Sequence, residues 1–287
     1  MYESFFGLKD PAFSLTPDPR FLWPSETHQE GFAALYYGIT RRKGFLLLTG
    51  EVGAGKTTLL RAVLDQMPSD VETSLILNTA DLTGLDLLKL IAAEFRLTGP
   101  FESRADYLIA LNQFLLRRLQ DGLNTVLIID EAQNLDADML EQVRLLSNLE
   151  TNTEKLIQIV LTGQPELRDM LATHQMRPLR QRIALEHHVQ PIQDHEVTSY
   201  LSHRIQVAGG TYAEVFAPAV EDIFYEFSNG CPRLLNLLAD RVLLAGYSKQ
   251  MKPVLPELVE KKAIEMEAQS YAQTYGGQEE EDAQESA

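Results

Sequence analysis

The sequence predicts an α/β fold: a parallel five-stranded sheet covered by helices, followed by a smaller all-helical region. Three observations carry this. Through the first two thirds of the chain, apolar runs of strand length alternate with helix-period stretches, the order that builds parallel crossover units. The runs VLIID and LIQIVL are almost continuously apolar, as strands buried on both faces are. After Pro191 the strand pattern stops and only helical periodicity remains.

Composition agrees with a folded chain. Of 287 residues, 45% are apolar and 23% charged, which excludes a disordered, collagen-like or disulfide-scaffold protein. Acidic residues outnumber basic ones by 41 to 25, a formal charge of −16, which disfavours general electrostatic grip on nucleic acid. Cys231 is the only cysteine and forms no internal disulfide. The sequence has no basic-then-apolar leader and no 18-residue apolar run, so the expected location is the cytoplasm, with no membrane span. No internal repeat of 20 to 50 residues is visible.

Residues 1–27 are rich in proline and aromatics. Tyr2, Phe5, Phe6, Phe13, Phe21 and Trp23 are too many for a free tail, so an extended segment pinned to a domain surface is expected. Residues 29–42 follow as an amphipathic helix, with Phe32, Leu35, Tyr36 and Ile39 at helical spacing. Strands are expected at 45–49, 74–78, 125–130, 156–162 and 184–189, with helices at 57–67, 85–95, 105–120, 136–148 and 166–173. Asp194 is expected to N-cap a helix running to Ala208. Pro218, Pro232 and Pro256 then open helices at 218–227, 232–249 and 256–269. The expected domains are a segment and helix at 1–43, an α/β core at 44–191 and a helical domain at 192–270. A glycine hinge then leads to a disordered acidic tail at 271–287.

The chemistry concentrates between the first strand and first core helix. Gly50-Glu51-Val52-Gly53-Ala54-Gly55-Lys56-Thr57 matches G-x-x-x-x-G-K-[ST], with Thr58 continuing into the helix. Its glycines let the loop curl so that backbone N–H groups face phosphate oxygens, Lys56 neutralises β/γ charge, and Thr57 ligates Mg²⁺. Asp130 and Glu131 close the run TVLIIDE at a strand's carboxyl end. There Asp130 suits Mg²⁺ and Glu131 suits a general base acting on water. Gln164 or Thr162, after the fourth strand, is placed to sense a γ-phosphate. Arg177, Arg180 and Arg182 cluster before the last strand, where a guanidinium could reach a neighbouring subunit's γ-phosphate. Arg233 opens a helix whose buried side is read as Leu234, Leu235, Leu237 and Leu238, and it is able to face a nucleotide. Cys231 is read as a packed residue, and His187 and His188 as structural residues of a core strand.

These residues together resemble the AAA+ ATPases, and more closely the general secretion pathway protein A family. The closer likeness lies in Met1-Tyr2, Phe6-Gly7-Leu8 and the run Pro11 to Phe21. It continues in Leu161-Thr162-Gly163-Gln164-Pro165-Glu166-Leu167, Leu179-Arg180-Gln181-Arg182-Ile183 and Ser228 to Asn236, covering residues 1 to about 250. The resemblance implies a P-loop NTPase core with a C-terminal helical lid and ring-like oligomers. It also implies Walker A at 50–57, Walker B at Asp130 and Glu131, an arginine finger at Arg182 or Arg180, and a sensor at Arg233. The expected cofactors are ATP and Mg²⁺, and the expected partners are further copies of the chain and proteins of a secretion, pilus or exopolysaccharide-export complex. Secretion-type members continue into a transmembrane helix and a periplasmic peptidoglycan-binding region. This chain instead stops in an acidic tail, so the expectation is a short cytosolic member or a cytosolic fragment, cytoplasmic or peripheral to the inner membrane through a partner. Two other functions share the core: a DNA-bound regulatory ATPase of transposition, with Arg41, Arg42 and Lys43 lining a pore, and a nucleotide-gated scaffold with negligible turnover.

Overall fold

The computed structural model describes residues 1–77 and 82–269; the acidic tail and the expected strand end at Asn78 lie outside them. In chain order the elements are α1 (Tyr2–Phe6), α2 (Glu26–Thr40), β1 (Phe45–Gly50), α3 (Lys56–Asp65), β2 (Val71–Ile76), α4 (Gly84–Glu94), α5 (Arg104–Gln120), β3 (Asn124–Ile129), α6 (Ala137–Leu146), β4 (Gln158–Gly163), α7 (Pro165–Ala172), α8 (Arg177–Arg180), β5 (Ile183–Val189), α9 (Val197–Val207), α10 (Tyr212–Val215), α11 (Glu221–Ser228), α12 (Pro232–Ser248) and α13 (256–269). They form two compact units, one of residues 26–190 and one of residues 1–25 with the chain from Pro191 onward.

In the α/β unit the strand order is β2-β3-β4-β1-β5 and every pairing is parallel. All residues of β1, β3 and β4 are buried, which is why their sequences are so apolar. The edge strands differ. β5 carries half-exposed polar residues, among them His187 and His188, so these lie on a sheet edge rather than in a core strand. β2 begins at Val71, three residues before the expected start, because an edge position tolerates the polar Glu72 and Thr73. Helix starts follow their caps. Thr83 and Asp86 form a capping box for α4, Ser103 and Asp106 one for α5, and the Asp136 carboxylate accepts the Met139 N–H of α6 at 2.7 Å. The buried stripe of α2 includes Gly31 and Gly38. A Cβ there would come within 2.7 Å of His187 and 2.5 Å of Leu46, so the helix backbone lies directly on β5 and β1.

The helical unit corrects the reading of the first 27 residues. They do not run extended over a surface: α1 and a 3-10 turn at Pro19–Phe21 set Phe6, Phe13 and Phe21 into the core, beside Leu201, Phe216 and Phe224. Arg204, 8% exposed, holds this segment in place. Its guanidinium donates to the carbonyls of Ala12 (2.7 Å) and Ser14 (3.3 Å) and lies over the rings of Phe13, Phe21 and Tyr200. Two helix starts also shift. Asp194 opens a 3-10 turn instead of capping α9, while the Glu196 carboxylate accepts the Gln193 N–H at 3.0 Å. α11 begins at Glu221, not Pro218, because Ala219 has φ +68°, outside the helical region. On α12, Leu235 and Leu238 are buried but Leu234 is 36% exposed, which removes it from the buried side.

Candidate active site

The carboxyl ends of three neighbouring strands assemble the site. The register sets Ile129 beside Leu161 and Leu48 beside Thr162, so the residues leaving β3, β4 and β1 emerge together at one edge of the sheet. The loop from Gly50 to Thr57 joins β1 to α3. Gly53 and Gly55 have φ +82° and +96°, conformations open to glycine, and a Cβ on Gly50 would lie 2.9 Å from the Val189 carbonyl oxygen. Lys56 is 6% exposed and its Nζ donates to the carbonyls of Gly50 (2.7 Å) and Glu51 (3.0 Å). Burial pushes this ammonium below the usual lysine range, against the pull of Glu131, Asp130 and Glu51. A cation held in so little water favours an anion at the loop's mouth.

Asp130, 4% exposed, is held on both oxygens. Oδ1 accepts from the Thr162 hydroxyl and from the Glu131 N–H (3.0 Å), and Oδ2 accepts from the Thr57 hydroxyl at 3.2 Å. A hydroxyl and a carboxylate so paired are hard oxygen donors of the kind Mg²⁺ takes with phosphate, so the residues present fit that ion. Glu131 has φ +52°, a strained position for a side-chain-bearing residue. Its Oε2 accepts from the amides of Gln133 (2.6 Å) and Gln164 (3.3 Å), and Gln133 Oε1 accepts the Gln164 N–H at 3.1 Å. A Cβ on Gly163 would lie 2.9 Å from Gln133 Oε1, so this glycine leaves room for the amide. Thr162 thus sits against Asp130 and Gln164 against Glu131.

The arginines separate. Arg182 Nη1 donates to Asn148 Oδ1 (2.7 Å), the Arg144 carbonyl (3.3 Å) and the Ser147 hydroxyl, all at the end of α6 in its own unit. Arg177 and Arg180 are exposed. Arg233 is exposed on the first turn of α12 in the helical unit. Arg42 donates to the carbonyls of Gly122 and Leu123, both at 3.2 Å, and so braces the amino-terminal ends of the strands.

Comparison with known proteins accords with this geometry. Residues 39–171 match the family described as AAA domain. General secretion pathway protein A of Aeromonas hydrophila is 44% identical over 252 residues, 87% of this chain and 45% of that protein. Residues 39–171 are thus similar to an AAA domain. The chain spans less than half the length of this curated relative. Among solved structures, the Aeropyrum pernix ORC2 protein superposes on this chain with TM-score 0.68 at 17% identity, covering 90% of this chain and 72% of that one. Cdc6p from Pyrobaculum aerophilum gives TM-score 0.68 at 21% identity, covering 89% and 70%. The Walker-type ATPase paby2304 of Pyrococcus abyssi gives 0.62 at 19%, covering 96% and 80%. These likenesses show the P-loop AAA+ fold.

Two residues at the site escape motif reading. Gln133 lies two positions past Glu131, in a turn whose only sequence signal is a polar side chain between Ala132 and Asn134. His28 is 4% exposed on the first turns of α2, and its Nε2 lies 3.2 Å from the Ala54 carbonyl oxygen, which backs the phosphate loop. Only the three-dimensional return of α2 onto β5 brings it there.

Proposed function

We propose that this protein is a Mg²⁺-dependent AAA+ ATPase that acts as a homo-oligomer, and that its turnover drives or licenses assembly of a protein complex of an export system. The supporting observation is the meeting of Lys56, Thr57, Asp130, Glu131 and Gln164 at one sheet edge. In this reading the N–H groups of residues 50–58 and the Lys56 ammonium bind the β- and γ-phosphates of ATP. Thr57 and Asp130 would hold Mg²⁺, which would offset phosphate charge. Glu131 takes a proton from the attacking water as the γ-phosphoryl bond to ADP breaks, and Gln164 reads the γ-phosphate.

Of the two finger candidates, the exposed Arg180 is the freer to reach a neighbouring subunit, since Arg182 is engaged within its own unit. Arg233 serves as a sensor on the helical unit. The export role rests on the likeness to general secretion pathway protein A, a name that points to protein partners. With a formal charge of −16, nucleic acid is a disfavoured partner. No helix among the described residues is long and apolar enough to cross a membrane, which suits a cytoplasmic protein reaching the inner membrane through a partner.

The test compares two variants. Glu131→Gln should keep MgATP binding and lose turnover by about 10²-fold or more, while Lys56→Ala should lose binding itself. Unchanged phosphate release in Glu131→Gln, or near-normal calorimetric affinity in Lys56→Ala, refutes the reading.

A further inference from the structure

We propose that Gln133 is a positioning residue of the ATPase site, joining Gln164 to Glu131 so that the group facing the γ-phosphate and the group acting on water move as one. This rests on the reading of Glu131 as the base. Gln133 spends both ends of its amide on the site: Nε2 donates to Glu131 Oε2 at 2.6 Å, and Oε1 accepts the Gln164 backbone N–H at 3.1 Å. Gln164 closes the triangle by donating from its own side chain to the same Glu131 oxygen at 3.3 Å.

The geometry around the triangle is built for it. Glu131 holds φ +52°, which turns the chain out of β3 and brings Gln133 back over the end of β4. Gly163 lacks the Cβ that would press on Gln133 Oε1. An amide is the side chain that suits this place, because one end must donate to a carboxylate while the other accepts from an N–H. Glutamate of the same size would put two acceptors against Glu131, and methionine would fill the volume and make neither bond. With two donors on one oxygen, Glu131 is fixed in direction, and a displacement of Gln164 is transmitted to it through both its backbone and its side chain.

The experiment measures steady-state ATP hydrolysis and calorimetric MgATP binding for the full chain. The variants are Gln133→Met, Gln133→Glu, Gln164→Ala and the Gln133→Met/Gln164→Ala double, with Glu131→Gln in parallel. Each glutamine variant should lower kcat about 10-fold with affinity within 2-fold of the parent, and the double should fall little below the worse single, because both act through one oxygen. Losses that multiply to about 100-fold, or Gln133→Met and Gln133→Glu turning over normally while Glu131→Gln is inactive, overturn the positioning role alone. If Glu131→Gln itself turns over normally, the role of the base fails and the proposal fails with it. Thermal melts accompany each variant. If Gln133→Met melts early, Gln133→Glu carries the comparison, and if both do so with kcat unchanged in the folded fraction, Gln133 only supports the fold.

Discussion

Replacing Arg182 by alanine separates a residue that braces its own subunit from one that reaches into the next. One nitrogen, Nη1, donates to the Asn148 side chain, the Arg144 carbonyl and the Ser147 hydroxyl, tying the chain ahead of β5 to the end of α6. A bond from a charged donor contributes about 1.5 to 3 kcal/mol when its acceptor is left dry. Arg182 is half-buried, and water can reach Asn148 once the guanidinium is gone, so the three bonds together should be worth about 2 kcal/mol. At about 2 to 4 °C per kcal/mol for a domain of roughly 150 residues or more, Arg182→Ala should melt about 4 to 8 °C early. Scanning calorimetry of Arg182→Ala and Arg180→Ala side by side is the assay. Arg180 is exposed, so its variant should melt with the parent. An Arg182→Ala protein with parental melting temperature and lost activity would refute this reasoning and restore Arg182 as the finger.

Arg180→Ala should lower turnover about 10³-fold, and mixing it with Glu131→Gln should recover activity at interfaces pairing an intact Glu131 with an intact Arg180; activity independent of protein concentration in a monomer would count against a trans role. His188 is held below the usual histidine range by burial, with Arg168 adding to the effect, so the fold takes up this proton at lower pH than the unfolded chain, which gains it near pH 6.5. Stability should therefore fall as pH drops below 6.5, and His188→Gln should flatten that slope in urea melts between pH 7.5 and 5.5. Gly230→Ala should cost the helical unit more than about 3 kcal/mol, because φ is +73° and the new Cβ would sit 1.9 Å from the Ile192 carbonyl oxygen; a variant that melts normally would show that the backbone there yields.

The sheet and its phosphate loop were legible because their signals are local. The runs at β1, β3 and β4 are apolar throughout for the plain reason that both faces are covered, and the glycines of the loop stand next to the strand that needs them. β5 was harder to read, since an edge strand alternates and carries histidines that only the third dimension assigns to Thr27 and Thr49. Gln133 left no signal because a glutamine after two acids looks like any turn residue until β4 comes beside it. The start of α11 was missed for a backbone reason, the positive φ of Ala219, which a proline nearby does not reveal.

The partition of the chain makes the α/β unit an insertion within the helical one. The chain leaves the helical unit after Ser25 and rejoins it at Pro191. Those crossings are stitched together: the Thr27 hydroxyl donates to the His188 carbonyl at 3.4 Å and accepts the Gln190 N–H at 3.2 Å. A piece comprising 26–190 therefore carries its whole core and both ends of its stitch. A piece starting at 191 lacks Phe6, Phe13 and Phe21 and leaves Arg204 without the carbonyls of Ala12 and Ser14. Translation from the amino terminus makes the first 25 residues wait through 165 others, 190 less 25, before their packing partners exist. The helical unit thus becomes whole only after the α/β unit, although its first residues are made before it.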